Sequence, residues 1–173
     1  MDTVLDIIRK RRSIRSHTDR PIEREKIELL IEAANYAPSA GNIYPWKIVV
    51  VQDSRLVRKI QSVSPGMLGR PAALIAFCSD RQKAQSKLGN RGRDIFCFMD
   101  VAHAAQNLCI LATELGIGTC CIMSFNREAV GEFLEIPEEY SADYLVSLGY
   151  PDGELIALEK RSLEETVLSW RGE

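Results

Sequence analysis

Histidine and cysteine, the side chains that most often bind transition metals, are scarce in this chain. Its 173 residues include two histidines, His17 and His103, and five cysteines, at positions 78, 97, 109, 120 and 121. The adjacent pair Cys120 and Cys121 lacks the gap of about two to four residues that lets two thiolates reach one zinc ion. We therefore expect no metal site. An odd number of thiols, mostly within apolar runs, favours reduced, buried cysteines over a disulfide framework.

Recognisable catalytic and nucleotide-binding motifs are also missing. The chain has no Gly-x-Ser-x-Gly elbow, and neither histidine lies in a catalytic motif. Gly116-Ile117-Gly118 lacks the third glycine of a dinucleotide fingerprint and follows a predicted helix rather than a strand, and no P-loop lysine arrangement occurs. We therefore predict no catalytic side chain and expect any chemistry to come from a bound cofactor.

The chain has neither a long apolar run nor a large net charge. No segment approaches the roughly 20 apolar residues that a membrane span requires, and Met1-Asp2-Thr3 lacks the basic and then apolar layout of a signal peptide. A net charge of −2 argues against nucleic acid as the main partner. With 46% hydrophobic and 27% charged residues, the composition is that of an ordinary globular domain. We expect one domain over residues 1–173, in the cytoplasm, without a membrane or nucleic-acid partner.

Hydrophobic periodicity predicts alternating helices and strands. Helices are expected over 23–37, around 56–60, over 94–115, and from the capping-box pattern that begins at Ser162. Short apolar runs predict a central strand at 47–52 and further strands at 72–78, 119–123 and 144–149. No element is predicted at 62–71 or 79–93. The polar, basic composition of 79–93 predicts an exposed, mobile loop. Two roles are open for it: a solvated loop without a ligand, or a loop near the mouth of an active site.

The predicted helix over 94–115 is apolar on nearly every side. Such a helix is expected at the centre of a fold or of a dimer. Its apolar surface is interrupted by Asp100, His103, Gln106 and Asn107. We expect neighbouring backbone groups to satisfy these side chains, which favours a structural role over catalysis.

Three guanidiniums and a hydroxyl are concentrated in Arg11-Arg12-Ser13-Ile14-Arg15, just after an apolar helical stretch. Arginine presents a rigid fork of donors that matches phosphate oxygens in pairs, and a serine hydroxyl adds a further hydrogen bond. The run therefore suits a small dianion. On its own, it is equally consistent with a solvated basic surface or a nucleic-acid patch.

Four motifs resemble the ordered landmarks of one enzyme family. They are Arg11-Arg12-Ser13-Ile14-Arg15; Ala37-Pro38-Ser39-Ala40-Gly41-Asn42 with Pro45-Trp46; Glu114-Leu115-Gly116-Ile117-Gly118-Thr119-Cys120; and Gly149-Tyr150-Pro151. In this order and at these distances the chain resembles the FMN-dependent nitroreductase family from about residue 6 to 166. The resemblance implies an α+β fold with a central, mostly antiparallel sheet between helices. It also implies an intertwined homodimer with FMN in the subunit interface, and residues 168–171 crossing the partner.

The resemblance assigns the cofactor phosphate to basic side chains. Arg11 and Ser13 would bind the FMN phosphate, with Arg12 nearby, and Arg161 would complete the clamp. Arg15 would lie near the N1/O2 edge of the isoalloxazine ring, where a guanidinium stabilises the negative charge that reduction leaves. Family members often carry a lysine two residues before the last arginine, where this chain has Glu159. Lys160 is then the candidate substitute.

Two further segments would contact the flavin ring. The partner subunit would supply Pro38, Ser39, Ala40 and Asn42, where small residues let the backbone approach closely. The loop formed by Cys121, Ile122, Met123 and Ser124 would pass along the ring, with a backbone N–H reaching N5. Side-chain identity matters little at such a contact, so we assign no redox role to Cys120 or Cys121.

The implied reaction is a ping-pong hydride transfer. NADH or NADPH reduces FMN and leaves, and a nitroaromatic, quinone or similar electron-poor acceptor follows. Candidate cavity residues are Tyr44, Phe96, Phe98 and Phe125, and the basic segment 79–93 would favour an anionic substrate or NADPH. Two alternatives remain open: another flavin chemistry on the same scaffold, such as dehalogenation or flavin consumption, and a non-enzymatic flavin-binding role.

Overall fold

The computed structural model describes residues 2–153 and 159–172, and its centre is a four-stranded sheet with the order β1-β2-β4-β3. All three strand pairings are antiparallel. The strands are β1 (Trp46–Val51), β2 (Ala73–Ser79), β3 (Gly118–Ile122) and β4 (Ser141–Gly149). The helices are α1 (Val4–Lys10), α2 (Arg24–Asn35), α3 (Ser54–Ser62), α4 (Arg81–Arg91), α5 (Cys97–Glu114), α6 (Arg127–Phe133) and α7 (Leu163–Thr166).

The sheet buries side chains on both of its faces. Along β2, Ala73, Ile75 and Phe77 pack into a cluster with α2 and α5. The alternate residues Leu74 and Ala76, with Cys78, pack into a second cluster with α3 and α6. Because successive side chains of a strand point to opposite faces, a strand covered on both sides reads as one continuous apolar run. The predicted strand at 72–78 is confirmed for this reason.

Several predicted elements are confirmed with small changes at their ends. Helix α2 occupies most of 23–37, and it buries Ile27, Leu30 and Ala34 as the periodicity requires. The last helix begins after Ser162, whose hydroxyl accepts the Glu165 N–H at 3.2 Å. The Glu165 carboxylate accepts the Ser162 N–H at 2.8 Å, which completes the capping box.

Strand β1 is not the central strand that its composition predicted. It pairs only with β2, so it forms one edge of the sheet, and Lys47 and Val50 are exposed. β-branched residues fit a pleated strand at the edge as well as in the centre. The sequence 47–52 therefore predicts the strand but not its position.

The prediction of a loop at 79–93 is wrong, because this segment contains α4. The Asp80 carboxylate accepts the Lys83 N–H at 2.7 Å and caps the helix. The helix buries Ala84 and leaves most of its other side chains in solvent, so it has too few apolar residues to show a clear helical period. A π-helical turn, Gly92–Phe96, then joins α4 to α5.

The charge of Arg81 is neutralised by an ion pair within the fold. Arg81 Nη2 donates to Oδ1 of the buried Asp143 at 2.6 Å, and its guanidinium lies 4.8 Å from the centre of the Phe98 ring. Arg127 approaches the same carboxylate at 3.6 Å. The first turn of α4 is therefore fixed to β4 and α5, and part of the positive charge of 79–93 is neutralised.

Within the described residues, the helical stretch Arg81–Glu114 is long and apolar enough to span a membrane by length and composition. The prediction that no segment approaches this limit was therefore too strict. The apolar side chains of α5 are accounted for by the fold, because Val101, Ala104, Leu108 and Ala112 are buried against the sheet and α2. We interpret α5 as the core helix of the fold.

Candidate functional site

The segment 13–18, which carries part of the basic run, is held against the sheet by main-chain hydrogen bonds. Ser13 forms a parallel bridge with Thr119, and the Ile14 N–H donates to the Thr119 carbonyl at 2.8 Å. Further along, the Thr18 N–H donates to the Tyr150 carbonyl at 2.9 Å. The segment thus extends along β3 and the end of β4, and it leaves the side chains of Ser13 and Arg15 exposed.

Three glycines permit this close approach. A Cβ atom at Gly118 would lie 2.7 Å from the Ile14 side chain, and one at Gly149 would lie 2.7 Å from the His17 ring. A Cβ atom at Gly69 would lie 2.0 Å from the Arg15 carbonyl oxygen. Real Cβ atoms do not approach heavy atoms this closely, so any side chain at these positions would displace the segment.

The side chains of Arg11 and Arg15 lie beside β3 without a neutralising carboxylate. Their charges act on the thiols of this strand, since Arg11 stabilises the thiolate of Cys121 and Arg15 that of Cys120. No carboxylate in residues 2–153 or 159–172 forms an ion pair with either guanidinium. Arg12 instead turns back to α1, where its Nη1 donates to the carbonyls of Arg9 and Arg11.

The end of β3 presents an exposed thiol and an apolar cavity. Cys121 is exposed and Ile122 is buried, while Met123 and Ser124 continue outward, with Met123 58% exposed. A cavity of about 230 Å³ lies beside Met123. Its other lining residues are Phe98, Met99, Val101, Ala102, Asp143 and Tyr144.

Cys121 differs from the buried thiol that the sequence predicted. Cys78, Cys97, Cys109 and Cys120 are buried as expected, but Cys121 is exposed, and its Sγ lies 3.8 Å from that of Cys109. Hydrogen bonds from Cys109 and Tyr144 and the positive charge of Arg11 lower the pKa of the Cys121 thiol to about 6. The same hydrogen bond, together with burial, raises the pKa of Cys109.

Residues 38–42 form a tight loop after α2 that is held by the start of α5. The buried Asp100 carboxylate accepts the Ser39 hydroxyl at 3.0 Å and the Ala40 N–H at 3.0 Å. Pro38 and Asn42 are exposed beside these contacts, and Asn42 adopts a left-handed backbone with φ of 56°. The prediction that backbone groups satisfy Asp100 is confirmed in part, since a side-chain hydroxyl also contributes.

The other polar side chains of α5 behave in two ways. Asn107 Nδ2 donates to the Ala33 carbonyl at 3.2 Å, as predicted. His103 and Gln106 are exposed instead.

A single chain does not bring all of the predicted site residues together. Asp100 holds the 38–42 loop, whereas Cys109, nine residues further along α5, contacts Cys121. At about 1.5 Å per helical residue, these two points are about 14 Å apart along the helix. Lys160 and Arg161 lie in the exposed C-terminal part of the chain. Neither makes a hydrogen bond or ion pair with the segment 11–15 in the described residues.

The side chains beside β3 fit a phosphorylated, planar ligand. The guanidiniums of Arg11 and Arg15 and the hydroxyl of Ser13 supply charged and neutral donors to an anion. The neighbouring cavity offers almost only apolar lining, which suits an aromatic ring. Sequence reasoning did not find Cys109 or Tyr144 as members of this site, because their placement depends on how α5 and β4 pack against β3.

The chain matches a known family over most of its length. The model of the Nitroreductase family matches residues 8–68 and 61–150. The chain belongs to the nitroreductase family. A relative from Archaeoglobus fulgidus, provisionally named NADH dehydrogenase/NAD(P)H nitroreductase, is 38% identical over 160 residues, which cover 89% of this chain and 88% of the relative.

Two further relatives of this nitroreductase-family chain have names that include FMN. A Bacillus subtilis protein named FMN reductase (NADPH) is 26% identical and covers 87% of this chain and 67% of its own length. The solved structure of an FMN-dependent nitroreductase from Clostridium difficile is 25% identical, with a TM-score of 0.82, and covers 98% of this chain and 99% of that one. The predicted nitroreductase-like α+β fold, with an antiparallel sheet between helices, is confirmed.

We predict that Gly118→Ala destabilises this nitroreductase-family chain. The new Cβ would overlap the branched Ile14 side chain, and such overpacking costs about 1–3 kcal/mol. Gly131→Ala, within α6, is the matched control, because a Cβ there meets nothing within 4 Å and alanine favours a helix by about 1 kcal/mol over glycine. Thermal unfolding measures both variants. An unchanged melting temperature in Gly118→Ala would contradict the tight docking of 13–18.

We predict that His17 makes the folded chain sensitive to mild acid. Burial lowers the pKa of His17 below its ordinary 6.5, and contact with the Gly149 backbone offsets only part of this effect. The unfolded chain therefore takes up a proton as the pH falls through about 6.5 while the folded chain does not, so stability present above that pH is lost toward the lower, folded pKa.

His17→Gln should remove this part of the acid sensitivity. Its melting temperature should fall less than that of the natural chain between about pH 7.5 and 5.5. His103→Gln is the control, because His103 is exposed. Equal slopes for the natural chain and His17→Gln would show that His17 does not contribute.

Proposed function

We propose that this chain is an FMN-dependent NAD(P)H oxidoreductase that reduces nitroaromatics, quinones or similar electron-poor acceptors. The main support is the position of Arg11 and Arg15, whose guanidiniums have no carboxylate partner in the described residues and lie along the strand that leads to the apolar cavity. The names of the relatives, NAD(P)H nitroreductase and FMN reductase, agree with this assignment. Residues 1–173 would form one FMN-binding domain.

The basic segment would hold the cofactor phosphate. Arg11 and Ser13 supply donors to the phosphate, and Arg161 with Lys160 reach it from the C-terminal segment. Arg12 would support this arrangement indirectly, because its Nη1 donates to two carbonyls at the end of α1. Charge-assisted hydrogen bonds of arginine to phosphate are among the stronger polar contacts in proteins.

The apolar end of β3 would hold the flavin ring. The chain from Cys121 through Ile122 and Met123 to Ser124 would pass along the ring and supply a backbone N–H toward N5, and Arg15 would lie near the N1/O2 edge. When bound, FMN supplies the two-electron carrier of the reaction. The protein supplies position and charge, since a fixed guanidinium stabilises negative charge without reorganisation. Donor and acceptor would occupy the same cavity in turn, as a ping-pong reaction requires.

A second copy of the chain would complete each site. The 38–42 loop is attached to α5 at Asp100, about 14 Å along the helix from the thiols beside Arg11. Within one chain, its residues Pro38, Ser39, Ala40 and Asn42 are therefore remote from the phosphate donors. Large apolar side chains are exposed on several segments, including α1, the start of α5 and the C-terminal segment. They are Val4, Leu5, Ile8, Met99, Leu168 and Trp170. Apolar surface of this extent is typical of an interface, and we propose a homodimer.

We place the enzyme in the cytoplasm. All five cysteines are free thiols, which suits a reducing compartment.

Absorbance spectroscopy of the purified protein tests the proposed function. We expect a flavin spectrum, release of FMN on heating, and bleaching on anaerobic addition of NADH or NADPH. Subsequent addition of a quinone should restore the colour. A protein that binds FMN but is not bleached by either nucleotide would support the flavin-binding alternative. A protein that does not bind FMN would overturn the proposal.

We predict that Arg11→Gln weakens the binding of FMN but not of riboflavin. Loss of one charge-assisted contact to phosphate should lower FMN affinity about 10- to 100-fold, whereas riboflavin has no phosphate to lose. Arg9→Gln is the control, because the Arg9 side chain is exposed and pairs with Asp6, at 3.8 Å. Flavin fluorescence titration measures the affinities of the natural chain and of both variants for FMN and for riboflavin. An equal loss for FMN and riboflavin would contradict the phosphate role of Arg11.

We predict that the protein has twice the mass of one chain in solution, and that Leu168→Ala with Trp170→Ala weakens this dimer. Both side chains are exposed in the single chain, so their removal costs little unless a partner covers them. Light scattering over a dilution series measures the dissociation. A monomer at every concentration would contradict the dimer. An unchanged dimer in the double variant would show that the C-terminal segment does not cross the partner.

A further inference from the structure

Two cysteines from different elements meet at the edge of the candidate site. Cys109 lies in α5 and is fully buried, while Cys121 lies in β3 and is exposed. Their Sγ atoms are 3.8 Å apart. A disulfide needs about 2.05 Å, so the sulfur atoms must approach by a further ~1.8 Å, which is within the range of a side-chain rotation.

The surroundings of the pair favour a reactive thiolate on one of the two sulfurs. Arg11 contributes positive charge, and Cys109 and Tyr144 contribute hydrogen bonds to Cys121. A thiolate with such neighbours is the nucleophilic form of cysteine, and exposure lets small oxidants reach it. Cys109 is enclosed by α5 and the sheet, so it has access to its neighbour Cys121 but not to solvent.

The other three cysteines provide an internal comparison. Cys78 and Cys97 are buried, and burial raises the pKa of Cys78 to about 12. Burial likewise raises the pKa of Cys120, although Arg15 opposes this effect. The described residues therefore hold one exposed cysteine with a lowered pKa, Cys121, and one buried thiol, Cys109, within reach of it.

We propose that Cys121 and Cys109 form a peroxide-reactive thiol pair, in which Cys121 reduces a hydroperoxide and Cys109 then closes a disulfide with it. The inference rests on the geometry of the chain without bound flavin, because FMN in the proposed position would cover Cys121. It does not require the proposed flavin chemistry.

The two steps balance in atoms and electrons. The Cys121 thiolate attacks one peroxide oxygen, the O–O bond breaks, and the other oxygen takes a proton and leaves as an alcohol, or as water from hydrogen peroxide. Cys121 becomes a sulfenic acid, oxidised by two electrons. Cys109 then loses its proton and attacks the Cys121 sulfur, so that the S–S bond forms, the S–O bond breaks, and the hydroxide leaves with that proton as water.

The test is oxidation of the purified full chain with one equivalent of hydrogen peroxide, both as isolated and after removal of FMN. The results below are those expected after FMN removal, and bound FMN should slow the reaction. Remaining thiols are alkylated after unfolding, and peptide mass spectrometry locates the modified cysteines. We expect loss of two of the five thiols and a peptide cross-linked through Cys109 and Cys121, both reversed by dithiothreitol. Cys121 should react at least about tenfold faster than Cys78, Cys97 or Cys120.

Three variants separate the two roles. Cys121→Ser should lose the rapid reaction with peroxide. Cys109→Ser should keep it but accumulate a sulfenic acid on Cys121, which dimedone traps. Cys120→Ser is the matched control, because Cys120 is adjacent in sequence but buried, and it should form the disulfide as the natural chain does. The proposal is overturned if Cys121 reacts no faster than the buried thiols, or if its sulfenic acid persists equally in the natural chain and in Cys109→Ser.

Discussion

The main-chain pairing of residues 13–18 with the edge of the sheet is the contact on which the candidate site depends. The hydrogen bonds at Ile14 and Thr18 fix the path of this segment, while Gly118 and Gly149 leave room for its side chains. Main-chain pairing holds a segment more rigidly than exposed side-chain contacts do. The backbone of Ser13 and Arg15 therefore keeps its position, while the side chains that carry the donors remain free for a ligand. A preorganised anion site differs from a solvated basic run in this way.

Helix α5 also organises the site, because two parts of the site are attached to it at different points along its axis. Asp100 at its first turn fixes the 38–42 loop, and Cys109 in its second half contacts β3. A rigid helix keeps these parts separate within one chain, so no side-chain rearrangement could bring the loop to Arg11. The same helix is apolar around most of its circumference, and Met99 remains exposed on it. Both observations are explained if a second copy packs against the uncovered face and contributes its own loop.

The sequence predicted those elements whose signal is local. The helical period of α2, the doubly buried run of β2 and the capping box at Ser162 each depend on residues close together in the chain. Three other features depend on which elements lie beside each other in the fold, and a single sequence does not contain this information. They are the edge position of β1, the existence of α4 and the exposure of Cys121. The basic run shows the same division. Its composition suited an anion site, a solvated basic surface or a nucleic-acid patch equally, and only the pairing of Ser13 with Thr119 shows which strand it accompanies.

The positions of the two histidines explain how the scarcity of histidine fits the chemistry of the site. His17 belongs to the docked segment and is buried against Gly149, and His103 is exposed on α5, so neither is placed as an acid or base beside the cavity. In the described residues, the site consists of guanidiniums, the Ser13 and Tyr144 hydroxyls, the Cys121 thiol, backbone groups and a largely apolar wall, in which Asp143 is ion-paired with Arg81. Such a site can bind and orient a cofactor and stabilise charge on it, but it supplies little proton transfer. The activity of the site must then depend on the positions of these groups more than on any one reactive side chain. A methyl group added at Gly118 should therefore disturb function as strongly as the loss of a polar contact.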